Sequence, residues 1–232
     1  MIYDGISRDS LFLLADNKFR NSKTHYESIK QDLKQGITVP MRQIAAQIGS
    51  EFSYLDDLMV TDPVKMVSRI RRDTRFTKDK SLYRDNMWIM FMRDKKAWRG
   101  YPAFWFEISP TFYSIGVGIY GTDAAQMRIF REHIRNNTKD FKKAVKPCEK
   151  DDIFLYGDSY KRVPDGCPAG LEHYYSAKSF GFIKYSENLE DLESEKILDI
   201  IRETYKDYSK IFTFLLDVAN DYTARGDINE LS

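Results

Sequence analysis

Little in this sequence limits the fold as much as one pair of segments that alternate in polarity with only a tight turn between them. In residues 103–109, Phe104, Phe106 and Ile108 alternate with Trp105 and Glu107; in residues 112–120, Tyr113, Ile115, Val117 and Ile119 alternate with Ser114, Gly116 and Gly118. A period of two puts each set on one face of an extended strand. Pro110-Thr111 leaves room for a tight turn alone, so the two strands pair antiparallel.

Residues 88–92 and 70–75 are further strand candidates and 180–185 returns to the sheet, which together give an antiparallel meander. Helical spacing governs both flanks. Leu11, Leu14, Ile29 and Leu33 recur at helical intervals behind the N-cap candidates Ser7 and Ser22, Gly36 and Pro40 punctuate, and Asp62-Pro63 opens another helix. Thr122 or Asp123 caps a segment carrying Met127, Phe130 and Ile134, and Thr138 caps the next. From 194 to 222 there is neither Gly nor Pro, and Ile197, Ile201, Tyr205, Tyr208, Phe212, Leu215 and Ala219 keep helical spacing: one long helix, straight or kinked, packs on the sheet. The expected fold is α+β, an antiparallel meander sheet packed by N-terminal helices and a long C-terminal helix. No stretch reads as a linker, so a single domain covers 1–232, with a helical part at about 7–68, a sheet-forming part at about 69–121, and helices, a long loop and the C-terminal helix at about 122–225.

A chain of 232 residues, 42% of them apolar, builds its core without disulfide or metal staples. Thirty-six Lys and Arg against 35 Asp and Glu leave a net charge of +1, so no bulk charge drives the protein onto nucleic acid or an anionic membrane. No apolar run approaches the ~20 residues of a spanning helix, the N-terminus lacks the basic and apolar regions of a signal peptide, and two cysteines are too few for an extracellular framework. The expectation is a cytoplasmic protein with no membrane partner.

Several motifs resemble catalytic ones and fail on context. Gly116-Val117-Gly118-Ile119-Tyr120-Gly121 satisfies G-x-G-x-x-G, yet Ile119 continues the strand alternation and the helix cap falls after Gly121, so no helix N-terminus would face a pyrophosphate. Glycines that let neighbouring backbone approach a strand are the simpler reading. Gly157-Asp158-Ser159 echoes an esterase nucleophile block without its N-terminal place or a downstream Asp-x-x-His. His133, Cys148, Cys167 and His173, the best set for zinc, contain no pair at finger or ribbon spacing. No cofactor, metal or catalytic residue is assigned.

Positive charge concentrates between 69 and 84, where Arg69, Arg71, Arg72, Arg75, Lys78, Lys80 and Arg84 face only Asp73 and Asp79. In an extended segment Arg69, Arg71, Asp73 and Arg75 share one face, and Asp73 can orient guanidinium groups that offer forked donors to a phosphate or carboxylate. Pairing with carboxylates across strands is the competing use of such arginines.

The run Arg69-Ile-Arg-Arg72-Asp73-Thr-Arg75-Phe76-Thr-Lys-Asp79-Lys80-Ser-Leu-Tyr83 resembles the signature R-x-x-R-D-x-R-F-x-x-D-K-x-x-Y of a widespread bacterial family, domain of unknown function 2461. Gly116-Val117-Gly118, Tyr160-Lys161-Arg162-x-Pro164-x-Gly166, Lys178-x-Phe180 and Phe214-Leu215 extend the resemblance over nearly the whole chain. Near the N-terminus the family usually shows an aromatic pair after an Asn-rich turn, where this chain has Lys18-Phe19, so that corner is expected to pack differently. The resemblance implies a cytoplasmic protein of about this length and no established activity.

The candidate anion site therefore comprises Arg69, Arg72, Arg75 and Lys80 around the ligand, Asp73 orienting them, and Tyr83 with Lys161-Arg162 closing the site. The leading expectation is a soluble protein binding an anionic small molecule there. A hydrolase or phosphoryl-transfer enzyme with Asp73 or Asp79 as general base or metal ligand is one alternative. The other is an interaction domain for nucleic acid or protein, in which Arg99, Trp98 and Tyr101 form a stacking surface and the arginines are partly structural. The near-zero net charge weighs against nucleic acid without removing it.

Overall fold

The alternating pair forms β2 (Pro102–Ile108) and β3 (Tyr113–Ile119), joined by a turn in which the Ser109 amide donates to the Phe112 carbonyl at 2.8 Å. The computed structural model of the chain describes residues 3–75, 77–94 and 96–230. Among them, β1 (Met87–Phe91), β4 (Ile153–Tyr156) and β5 (Phe180–Ser186) complete one antiparallel sheet in the order β1-β2-β3-β5-β4. Only the first three strands follow the expected meander. β4 enters at the far edge, and the chain turns back to lay β5 between it and β3.

Residues 70–75 form no strand. Arg71 makes one isolated bridge to Tyr83, and beyond it Asp73 accepts the Arg75 amide at 3.2 Å, a local turn that replaces further cross-strand pairing.

Side chains of Ser7, Ser22, Asp62 and Asp123 cap α1 (Arg8–Arg20), α2 (Lys23–Leu33), α4 (Pro63–Met66) and α5 (Ala124–Asn136), each accepting an amide of the first turn. Asn137 rather than Thr138 stands at the cap of α6 (Thr138–Val145), because the Thr138 hydroxyl turns back to the Ile134 carbonyl at 2.8 Å. Gly36 and Pro40 do not interrupt their helix. A π turn at Lys34–Thr38 carries α2 into α3 (Val39–Phe52), and the wider turn accommodates the amide that Pro40 lacks. Gly36 leaves room for Ser10, whose hydroxyl would lie 2.2 Å from a Cβ.

The last helix, α8 (Lys196–Glu230), runs on past residue 222 to a length of about 50 Å. It lays Tyr205 and Phe212 on the sheet, stacked against Phe104 at ring-centroid distances of 4.4 and 4.6 Å. Phe52 of α3 and Phe91 of β1 meet the same tyrosine edge-on at 5.5 Å. The register puts Ile89, Phe91, Phe104, Phe106, Val117 and Phe182 on this face, all buried. On the opposite face Trp88, Met90, Trp105 and Ile183 stay half-buried, and Phe154 and Tyr156 are exposed. Gly116 and Gly118 are interior residues of β3: a Cβ at 116 would lie 2.0 Å from the Trp105 ring, and one at 118 would lie 2.7 Å from the Phe180 carbonyl.

Tyr205→Ala is expected to cost about 3–5 kcal/mol of unfolding free energy and Tyr205→Phe less than about 1 kcal/mol, since phenylalanine keeps the ring stack. Chemical denaturation with matched slopes checks this; a small loss for the alanine variant would show that α8 is held elsewhere.

Candidate functional site

The arginine-rich segment folds into a hairpin at the β1 edge. Val67 bridges to Ile89, the Ser68 amide donates to Trp88, and the Arg72 and Arg84 amides donate to Leu82 and Ile70 at 2.8 and 3.0 Å. Asn21, in the left-handed conformation after α1, accepts the Leu82 amide at 2.6 Å, and Lys18 pairs with Asp85 at 2.8 Å. The divergent corner thus anchors the hairpin through Lys18, while Phe19 is 89% exposed.

Within the hairpin the charges largely satisfy one another. Asp73 takes the Arg75 guanidinium in paired bonds at 2.7 and 2.9 Å; Arg72 pairs with Asp79 and Ser81; Lys80 donates to the Thr74 carbonyl at 2.8 Å. Tyr83 is buried and stacks on Tyr26 at 4.8 Å, so it supports the hairpin and reaches no ligand. Phe76 lies outside the described residues. The bond from the Arg75 side chain holds the Asp73 carboxyl down at about 2, and the Ser81 amide, followed by Arg72, holds Asp79 at about 2.

Three motif guanidiniums differ. Among the described residues the exposed Arg69 and Arg71 have no side-chain partner, although the Arg69 carbonyl accepts Arg84 Nε at 3.1 Å. Arg84 has no carboxylate at ion-pair distance among the described residues; its Cζ lies 4.4 Å from the centre of the Trp88 ring. Burial, with the neighbouring Arg72 charge, lowers its pKa from the ordinary value.

Trp88 opens a groove of about 430 Å³ on the helix-free face, continuing through Met90, Met92, Ala103 and Tyr101 to Trp98 and Tyr120. Trp98 and Tyr120 stack at 5.7 Å to form its far wall. From below, Arg93 supports Tyr101, its Cζ 3.7 Å from the ring centre and its guanidinium held by buried Asp56 at 2.6 and 3.1 Å. Arg99 is exposed beside Trp98 and has no side-chain partner among the described residues. A hollow of about 340 Å³ between α6 and α8 is lined by Asp140, Lys143, Lys210 and Asp217, whose opposite charges offset one another.

Lys161 and Arg162 do not close the hairpin site. They lie in the loop after β4, at the sheet edge opposite β1, four strand spacings or ~19 Å away, and at the other ends of the strands. Sequence reasoning named Trp98 and Tyr101 as part of a stacking surface but missed Trp88, Met90 and Tyr120, with which they line the groove. Residues 88–92 are continuously apolar, yet only Met87, Ile89 and Phe91 point into the core, which leaves Trp88 and Met90 to the groove. Among the described residues no cluster of three or more His, Cys, Asp or Glu could hold a metal ion, and no helix is long and apolar enough to cross a membrane.

A family profile described as Conserved hypothetical protein (DUF2461) matches residues 9–214. No curated protein matches the chain.

Because both hairpin carboxyls have lowered pKa values, their pairs contribute above the unfolded value near 4 and are lost as the pH falls from there through about 2. Carboxyl carbon resonances of Asp73 and Asp79 should therefore titrate with midpoints near 2. Midpoints near 4 would show that the pairs are open in solution.

Proposed function

The chain belongs to that family, and we propose that it is a binding protein for a small anionic molecule with a flat apolar body. The body occupies the Trp88–Tyr120 groove, and its phosphate or carboxylate meets Arg84. The observation that carries this reading is the Arg84 guanidinium, which has no carboxylate at ion-pair distance among the described residues and lies over the ring of Trp88, a wall of that groove. Concave, mostly apolar surface with one or two convergent polar groups is what small-ligand sites offer. A fork stacked on a ring is preorganised for bidentate contact with an oxyanion. Arg69 and Arg99 contribute further cations, whereas Arg72 is already neutralised by Asp79.

Hydrolysis or phosphoryl transfer with Asp73 or Asp79 as general base is the weaker reading. A carboxylate whose pKa sits near 2 is a poor proton acceptor at neutral pH, and both are occupied by arginines. A second reading, in which a protein or single-stranded nucleic acid covers the whole face, draws on the apolar surface that continues from the groove to Trp105, Ile183, Phe154 and Tyr156. The cytoplasm is the compartment that fits, because Cys148 and Cys167 are both free thiols.

Titration of tryptophan fluorescence with nucleoside monophosphates and aromatic carboxylates, beside their uncharged counterparts, tests the assignment. The charged forms should quench and saturate. Arg84→Gln should weaken them roughly 10- to 150-fold, the equivalent of about 1.5–3 kcal/mol for a hydrogen bond to a charged group. Equal affinity for neutral and charged forms, or an unaffected variant, would remove Arg84 from the site. Binding only of oligonucleotides, falling steeply with salt, would favour the interaction-face reading.

A further inference from the structure

At the opposite corner of the sheet a second group of cations stands without carboxylates. Arg131 of α5 is 7% exposed, and three of its donors go to the main-chain carbonyls of Met127, Tyr175 and Ala177 at 2.8–2.9 Å. Those partners are neutral, so the charge of a buried guanidinium is left uncompensated, which in a low-dielectric surrounding is costly. One helical turn on, Arg135 donates to the Tyr175 hydroxyl at 2.6 Å. Lys178 projects from the segment leading into β5, its Nζ 5.2 Å from the centre of the Tyr160 ring, and Arg131 Cζ lies 5.3 Å from the same ring. Among the described residues none of Arg131, Arg135 and Lys178 has a carboxylate at ion-pair distance.

The loop over residues 157–170 is pinned across these groups at both ends. The Tyr160 amide donates to the Ser176 carbonyl at 2.8 Å, and the Tyr175 hydroxyl donates to the Asp165 carbonyl at 3.3 Å. Gly166, at φ +81°, passes so close that a Cβ there would lie 3.4 Å from Arg135. Between the pins the exposed Lys161 and Arg162, neither with a side-chain partner among the described residues, bring two more positive charges to the rim.

We infer that this arch of the 157–170 loop over α5 is a second binding site, for a tetrahedral oxyanion of the phosphate class, contacted by Lys178, Arg135 and the Tyr160 hydroxyl in front of buried Arg131. The site is independent of the groove and shares no residue with it. Burial lowers the Arg131 pKa, with only tyrosine hydroxyls offsetting it, and a bound dianion supplies the missing countercharge. Free phosphate and the phosphoryl group of a phosphomonoester present the same oxygens, so both are probes.

Isothermal titration of the full chain with inorganic phosphate, and separately with glycerol phosphate, tests the assignment. Saturable binding is expected in wild type and in Arg84→Gln alike. Lys178→Gln and Arg135→Gln, both at exposed positions, should each weaken it at least tenfold while leaving the thermal midpoint unchanged. Tighter binding of glycerol phosphate would support the site with an ester as its occupant. Absence of binding at millimolar phosphate and phosphomonoester, or equal affinity in the Lys178→Gln/Arg135→Gln double variant, would overturn it. Loss of phosphate binding in Arg84→Gln instead would also overturn it and move the anion to the groove.

Discussion

The stack of Phe104 between Tyr205 and Phe212 joins the longest helix to the centre of the sheet, and the rest of the architecture follows from which face it occupies. With α8 and α3 on that face, every second residue of β1, β2 and β3, together with Phe180 and Phe182 of β5, is committed to the core. The remaining side chains are committed to the other face. Because β2 and β3 run at strict period two, their non-core positions carry Trp105 over Gly116, a ring lying flat on a strand that has no Cβ beneath it. All three tryptophans of the chain, Trp88, Trp98 and Trp105, lie on or beside this uncovered face. An apolar face left free of helices in a sheet of five strands is unusual surface to leave to water, and this is the physical reason for placing function there.

Charge sorts the candidate anion contacts by whether a cation already has an anion. Arg72 and Arg75 carry their own carboxylates, so their net field at a ligand is small, and their exposed pairs hold a turn. Arg84, by contrast, meets an indole and a carbonyl, and Arg131 meets carbonyls and tyrosines, all neutral. A guanidinium surrounded by neutral acceptors keeps its full field and gains most from an arriving oxyanion. The seven basic residues of the motif are thus not one site: some build the hairpin that the others project from.

Much of the fold was legible in the sequence because it is local. Ser7, Ser22, Asp62 and Asp123 announced their helices through cap chemistry, β2 and β3 through alternation, and α8 through a long apolar stripe without Gly or Pro. β4 stayed hidden because four residues at a sheet edge, half exposed, carry too short a pattern to stand out from loop. The site was less legible. Asp73 beside Arg75 reads equally as an orienting group or as a partner, and only the paired bonds at 2.7 and 2.9 Å separate the two. Lys161 and Arg162 belong to the same charge class as the hairpin arginines, but their distance from it follows from strand order, with β5 inserted between β3 and β4, and no local signal encodes that. The groove was obscured for a related reason: Trp98 and Tyr101, neighbours in one loop, meet Trp88 and Tyr120 only once the sheet is formed.

The three indole N–H resonances report directly on the uncovered face, since Trp88 and Trp98 bracket the groove and Trp105 lies outside it. In a nitrogen–proton correlation spectrum, adding an anionic aromatic ligand should move the Trp88 and Trp98 signals together, with one saturation curve, and leave Trp105 nearly fixed. Three unmoved indoles across a panel of such ligands, or a response confined to backbone amides of the hairpin, would contradict a binding function for this face.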